Sequence, residues 1–336
     1  MQAVVYTEYG PPEVLRAAEV ETPVPKDNEI LIKVHATPIG YGDLVARNFR
    51  HITLGEFNMP ALLMLPTRLA FGWRKPKNQI LGSEFAGDVE AVGAAVTRFK
   101  AGDPVYGYRG MNFGAYAEYL VMREDGSVTH KPANLTFEEA ATLPYGTMMA
   151  LNLLRKVNIQ PGHKVLVNGA SGSIGSGALQ LAKHYGAEVT GVCGTPRMDY
   201  VKALGADHVI DYTQQDFTQN GETYDLIFDV LGKSSFARCK NSLAENGRYL
   251  LASFKLPDLL HMLRTSFVGR KKVICALSGE SYQDLDEIRE LTEEGKITAV
   301  IDRTFPLEQA AEAHRYVESG QKTGSVVLTV GPTDAT

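Results

Sequence analysis

Cysteine is nearly absent: three residues, Cys193, Cys239 and Cys275, in a chain of 336. They form no CxxC pair and no even framework, which excludes a disulfide-stapled scaffold and leads us to expect a reducing compartment, the cytosol. No uncharged apolar stretch reaches the ~18 residues that a membrane-spanning helix needs. The longest candidate, Met59 to Trp73, is interrupted by Pro60, Pro66 and Arg68. The opening Met1-Gln2-Ala3-Val4-Val5-Tyr6 carries neither a basic region nor an apolar signal core and reads as a strand, a second reason to expect a cytoplasmic protein. An excess of positive charge is missing too. The 34 Lys+Arg stand against 39 Asp+Glu, a net charge of −5, which does not suit a nucleic-acid partner. Internal repeats and low-complexity segments are absent. What remains is 44% hydrophobic and 22% charged residues, an ordinary globular composition. The chain is more than twice the usual domain length, so two domains are expected.

Three stretches differ in rhythm. Residues 1–123 are β-rich: Leu31 to Ala36 and Asp88 to Val92 alternate apolar with polar, and signals such as Tyr9-Gly10-Pro11-Pro12 separate the runs. Short strands with this punctuation favour a small barrel. From 124 to 279 strands alternate with helices. Lys164 to Asn168, Glu188 to Val192, His208 to Ile210, Tyr224 to Asp229, Arg248 to Ala252 and Lys272 to Leu277 are the six strands, which implies right-handed βαβ units and a doubly wound parallel sheet. The tail, 280–336, adds two helices and two short strands after that sheet is complete, so it is expected to return to the first domain. The fold class is α/β.

Between the first of those strands and its helix lies Gly169-Ala170-Ser171-Gly172-Ser173-Ile174-Gly175, an AxGxxG variant of the dinucleotide fingerprint. Gly172 would let the backbone approach a pyrophosphate, Gly175 would let helix and strand pack closely, and the helix N-terminus would face the phosphates. The alternative is a turn that wants glycine for backbone reasons only. The second strand ends Val192-Cys193-Gly194-Thr195-Pro196-Arg197, with no acid before Asp199 to bind ribose hydroxyls. Arg197 can bond phosphate and Thr195 adds a hydroxyl, so NADPH is favoured over NADH.

The stretch Gly162 to Gly175 resembles the medium-chain dehydrogenase/reductase superfamily, and within it the zinc-independent quinone oxidoreductase-like branch. Leu204 to Tyr212, Ala310 to Val317 and Gly114 to Tyr119 are similar to the same family. The resemblance implies a GroES-like β-barrel catalytic domain (1–123 and 280–336), a Rossmann NADP-binding domain (124–279), and an active site in the cleft between them. It also implies a homodimer or homotetramer joined through the last Rossmann strand. Thr147 and Ser253 would lie near the nicotinamide, and Tyr212 would line the adenosine end. Zinc-dependent relatives carry Cys and His where this chain has Gly40 and Ser83. With no cysteine before Cys193 and no HxxxH pair, no metal site is expected. Many zinc-free members carry NxxD where this chain reads Gly40-Tyr41-Gly42-Asp43. Tyr41 thereby becomes a candidate donor to a substrate carbonyl, or only a cleft wall, and Asp43 a candidate site residue, or only a clasp of its own loop. The implied activity is NADPH-dependent reduction of a small hydrophobic quinone, enone or enal. The alternatives are a metal-free alcohol dehydrogenase and a non-catalytic NADPH-binding protein.

One segment has no place in this scheme. Phe57 to Lys77 carries Met59, Leu62, Leu63, Leu65, Leu69, Phe71 and Trp73 beside Arg68, Arg74, Lys75 and Lys77. Pro60 and Pro66 predict short turns or helical pieces. A lid over the cleft and packing against the barrel or a partner subunit are the leading readings, and peripheral membrane contact is the third.

Overall fold

In a computed structural model that describes residues 1–53, 56–57 and 60–331, the chain forms two sheet-based domains and a small hairpin-like sheet. In the first stretch the strands are β1 (Gln2–Val5), β2 (Arg16–Glu19), β3 (Glu29–Pro38), β4 (Glu84–Val92), β5 (Pro104–Tyr108), β6 (Tyr119–Arg123) and β7 (Val128–His130). Its helices are α1 (Tyr41–Arg47) and α2 (Met64–Phe71). The alternation read in β3 has a physical origin: Ile30, Ile32 and Val34 are buried in the barrel core with Phe49, Phe85 and Tyr116, while Lys33 faces out.

Helices α3 (Phe137–Ala141) and α4 (Pro144–Leu154) lead into the second domain. There β8 (Lys164–Asn168), α5 (Ser173–His184), β9 (Glu188–Cys193), α6 (Met198–Ala203), β10 (His208–Asp211), β11 (Tyr224–Asp229), α7 (Phe236–Cys239), β12 (Leu243–Leu251), α8 (Leu256–Phe267) and β13 (Lys272–Cys275) follow. All six strands are parallel, in the order β10-β9-β8-β11-β12-β13. Val165, Leu166 and Val167 are buried in succession because β8 is covered on both faces. The order reverses between β8 and β11, which opens a crevice at their carboxyl ends.

The tail adds a strand to the barrel sheet. After α9 (Tyr282–Glu293), strands β14 (Ile301–Pro306) and β15 (Ser325–Thr329) flank α10 (Ala310–Glu318), and β15 pairs antiparallel with β3. A buried clasp fixes α10. Arg47 donates to Gly10 O at 3.1 Å, to His314 Nδ1 at 2.8 Å and to Glu318. Burial first, then the Arg47 charge, pushes His314 down to about 3, so its ring is neutral. With Nδ1 accepting, Nε2–H donates to the Tyr116 hydroxyl at 3.0 Å.

The 57–77 segment divides. Met59 lies outside the described residues. Phe57, Leu63, Met64 and Phe71 join the barrel core, whereas Leu62, Leu65, Leu69 and Trp73 face solvent. Pro66 does not break α2. It is the third residue, in the first turn, where a missing N–H costs no helical bond.

Candidate active site

The glycine loop joins β8 to α5 at the point where strand order reverses. Gly169 has φ +96°, a conformation that other residues rarely adopt. Ala170 is buried with its methyl against Gly191, which explains how alanine stands at the first fingerprint position. A Cβ on Gly175 would come 2.1 Å from Gly169 O, so only glycine lets α5 approach the loop. Over Gly172 the nearest atom to such a Cβ is 3.6 Å away, and Gly172 caps α5 with no side chain folded back onto the helix. Ser171 and Ile174 are half-buried and Ser173 is exposed. The first-turn N–H groups thus face an open cradle, which fits a pyrophosphate.

At the end of β9, the Tyr212 hydroxyl stands 3.3 Å from where a side chain on Gly194 would begin. Thr195 donates its hydroxyl to Asp211. That bond, with two more from Thr213 (N at 2.9 Å, Oγ1 at 2.8 Å), holds Asp211 below the usual carboxylate range. With its proton committed to Asp211, the Thr195 hydroxyl has only lone pairs left to offer. Arg197 donates Nε to Lys322 O at 2.9 Å and a second N–H to Gly320 O. Burial, and then the charge of Arg197, lowers the Lys322 ammonium. Two cations from distant parts of the chain thus share one corner, and sequence reading had found only the first.

Across the crevice, Tyr41 opens α1 and is 60% exposed. Asp43 is wholly buried: one oxygen accepts from Gly40 N at 2.9 Å, the other from Gly82 N at 2.9 Å. It ties the 40–43 loop to the entry of β4. Glu84, also buried, accepts from Tyr145 N at 2.8 Å and so caps α4 from the barrel side. A side chain on Gly40 would begin 3.3 Å from Asp43 Oδ2 and 3.8 Å from Glu84 Oε2, so the two carboxyls share one pocket. Burial raises Asp43 to about 7 and Glu84 to about 8, the latter helped by the charge of Asp43.

Beside them, Tyr108 and Tyr145 lie with ring centroids 5.4 Å apart. Burial lifts Tyr145 to about 12 and Tyr108 higher still, so both hydroxyls keep their protons. Glu280, raised by burial, approaches from the tail against Gly110. Thr147 is buried in α4, and the Ser253 carbonyl lies 3.0 Å from where a side chain on Gly232 would begin. Asp229 anchors that loop, accepting from Asn168 Nδ2 at 3.1 Å, Gly232 N at 3.1 Å, Ser234 N at 2.9 Å and Tyr249 Oη at 2.8 Å. Tyr108, Tyr145 and Glu280 escaped sequence reading because nothing in their local pattern marks them. Among the described residues no three His, Cys, Asp or Glu side chains converge to hold a metal ion.

Comparison with known proteins agrees with this architecture. Residues 26–133 match the alcohol dehydrogenase GroES-like domain, and residues 204–328 match a family described as zinc-binding dehydrogenase. The mouse (Mus musculus) mitochondrial NAD(P)H oxidoreductase RTN4IP1 is 32% identical over 98% of this chain and 89% of its own length. A 2-methylene-furan-3-one reductase of Solanum lycopersicum is 31% identical over 98% of this chain and 79% of its own. Among solved structures, a quinone oxidoreductase from Coxiella burnetii superimposes with a TM-score of 0.82 at 28% identity, covering 98% of this chain and 99% of that one.

Proposed function

This chain belongs to the zinc-independent quinone oxidoreductase-like branch of the medium-chain dehydrogenase/reductase superfamily, and on that premise we propose how its residues work. It is a nicotinamide-dependent oxidoreductase of quinones or of the activated C=C bonds of enones and enals. The observation that carries the reading is the open cradle at Gly172, set at the strand-order reversal.

When bound, the nicotinamide supplies hydride to the β-carbon of the acceptor, or to a quinone. The chain does the rest. The α5 N-terminus holds the pyrophosphate. Arg197, Lys322 and the Tyr212 hydroxyl favour the 2′-phosphate of NADPH, since a dianion would relieve the repulsion between the two cations. Thr147 and Ser253 flank the nicotinamide. Tyr41, at the exposed start of α1, donates to the acceptor oxygen, where negative charge develops. Tyr41 or water then supplies the proton that completes the reduction, at the α-carbon of an enone or the oxygen of a quinone. Tyr108 and Tyr145 form a wall of protonated hydroxyls. Asp43 and Glu84 act behind that wall, fixing the Tyr41 loop and α4. A reducing cytosol suits the three free cysteines, all buried or half-buried.

The test measures oxidation of both NADPH and NADH with a panel of enones, quinones and saturated ketones. NADPH should be preferred, and deuteride should appear at the β-carbon of the enone. Arg197→Ala should weaken NADPH by roughly 1–3 kcal/mol while sparing NADH. Turnover of saturated alcohols alone would favour a metal-free alcohol dehydrogenase, and equal affinity for the two cofactors would remove the phosphate role of Arg197.

A further inference from the structure

The outward face of the 57–77 segment plays no part in the chemistry above. Leu62, Leu65 and Leu69 recur at helical spacing through the turn before α2 and α2 itself, Trp73 follows just past its end at Gly72, and each is more than half exposed. The exposure is built in. On the inner side Phe71 stacks on Phe49 at 4.5 Å, Met64 is buried, and the Tyr9 hydroxyl donates to Phe71 O at 3.0 Å and Gly72 O at 2.8 Å. Asn78 Nδ2 then ties the exit to Met111 O at 3.1 Å and Asn112 O at 3.3 Å. The segment is held firmly by one side while four large apolar groups point away.

Its charge is equally one-sided. From Phe57 to Lys77 there is no acid, and exposed Arg74, Lys75 and Lys77 follow Trp73, in a chain whose net charge is −5. An acidic protein partner would itself have to supply pockets for the leucines, because they stand out from the helix, whereas the small cavity beside α2 is lined by Ala70 and Phe71. A bilayer needs no pocket: it takes the aliphatic side chains into its acyl boundary, seats tryptophan at headgroup depth and pairs lysine with anionic headgroups. The exposed face of α8 is a different case, because it adjoins β13, the last strand of its sheet, where a second copy can add.

We propose that Leu62, Leu65, Leu69 and Trp73, with Arg74, Lys75 and Lys77, form a docking face for an anionic phospholipid surface. Behind the face, Ala70 and Phe71 line a small cavity with Met111, and the preceding residue, Gly110, lies against Glu280 of the candidate site. An apolar acceptor dissolved in the bilayer would therefore have a short path to the site.

Trp73 is the chain's single tryptophan, so it reports on this face without labelling. The full chain is mixed with vesicles of phosphatidylcholine alone or with added phosphatidylglycerol, reading emission and co-sedimentation. Blue-shifted emission and pelleting are expected with the anionic vesicles only, and both should weaken as salt rises. Lys75→Glu with Lys77→Glu should reduce binding at least roughly tenfold. Leu65→Glu with Leu69→Glu should abolish it, while melting temperature, cofactor affinity and turnover of a water-soluble enone stay unchanged. Absence of shift and pelleting with anionic vesicles overturns the proposal, as does equal binding to both vesicle types. Trp73 emission that follows protein concentration and ignores lipid would also overturn it, by assigning the face to a subunit interface.

Discussion

Glu84 and Asp43 are acids that the fold prefers protonated. An acid whose value is raised on folding contributes stability that is complete below its unfolded value, near 4, and is lost as pH climbs through the folded one. Here the folded values are about 7 and about 8. Stability should therefore decline between pH 5 and pH 8, with each proton contributing a slope of about 1.4 kcal/mol per pH unit. Glu84→Gln keeps a carbonyl for the Tyr145 N–H and removes one of the two protons. We expect its melting temperature to fall less steeply with pH than that of the unmodified chain. Parallel profiles from pH 5 to 9 would mean that the pair is not protonated. The pair was only half legible in the sequence. The clasp of Asp43 on its own loop follows from a local i, i+3 spacing, but its second partner, Gly82, is 39 residues away. Lys322 stayed invisible for the same reason, lying 125 residues from Arg197.

At the level of elements, patterning carried most of the information. β3 alternates because one face is wet, β8 does not because both faces are dry, and both were readable from residue type alone. The α2 segment was readable as short and apolar. Which of its apolar groups turn inward was not, since that depends on Phe49 and Tyr9, which reach it only through tertiary packing. The β8–α5 turn allows two glycines of one motif to be separated. Gly175→Ala should destabilise the fold by roughly 1–3 kcal/mol, because its Cβ would meet backbone at 2.1 Å. Gly172→Ala has room and an extended backbone (φ −84°, ψ 167°), so stability should hold while affinity for either nicotinamide cofactor falls. Thermal melts beside fluorescence titrations distinguish the two, and a stable, tightly binding Gly172→Ala would mean that the pyrophosphate lies elsewhere.

For the whole molecule, the second domain ends its sheet at β13 with α8 beside it, where Leu256, Leu260, Leu263 and Phe267 are exposed. An open strand beside an apolar helix favours a two-fold partner that continues the sheet. We expect a homodimer in solution, or a tetramer built from it. Leu263→Glu with Phe267→Glu should yield a folded monomer by sedimentation velocity. A monomeric unmodified chain at micromolar concentration would contradict the assembly.

The pairing of β15 with β3 sets a timetable for synthesis. Thr37 and Leu328 are register partners roughly 290 residues apart. At about 5–20 residues per second, a ribosome takes on the order of 15–60 s to deliver the second after the first. Within that interval the second domain can complete its sheet, while the Ala36–Pro38 end of β3, beyond its pairing with β6, waits with one flank unpaired. The nascent barrel is then a client for chaperones, and the last fifty residues serve as the closing stitch of a domain begun at the first.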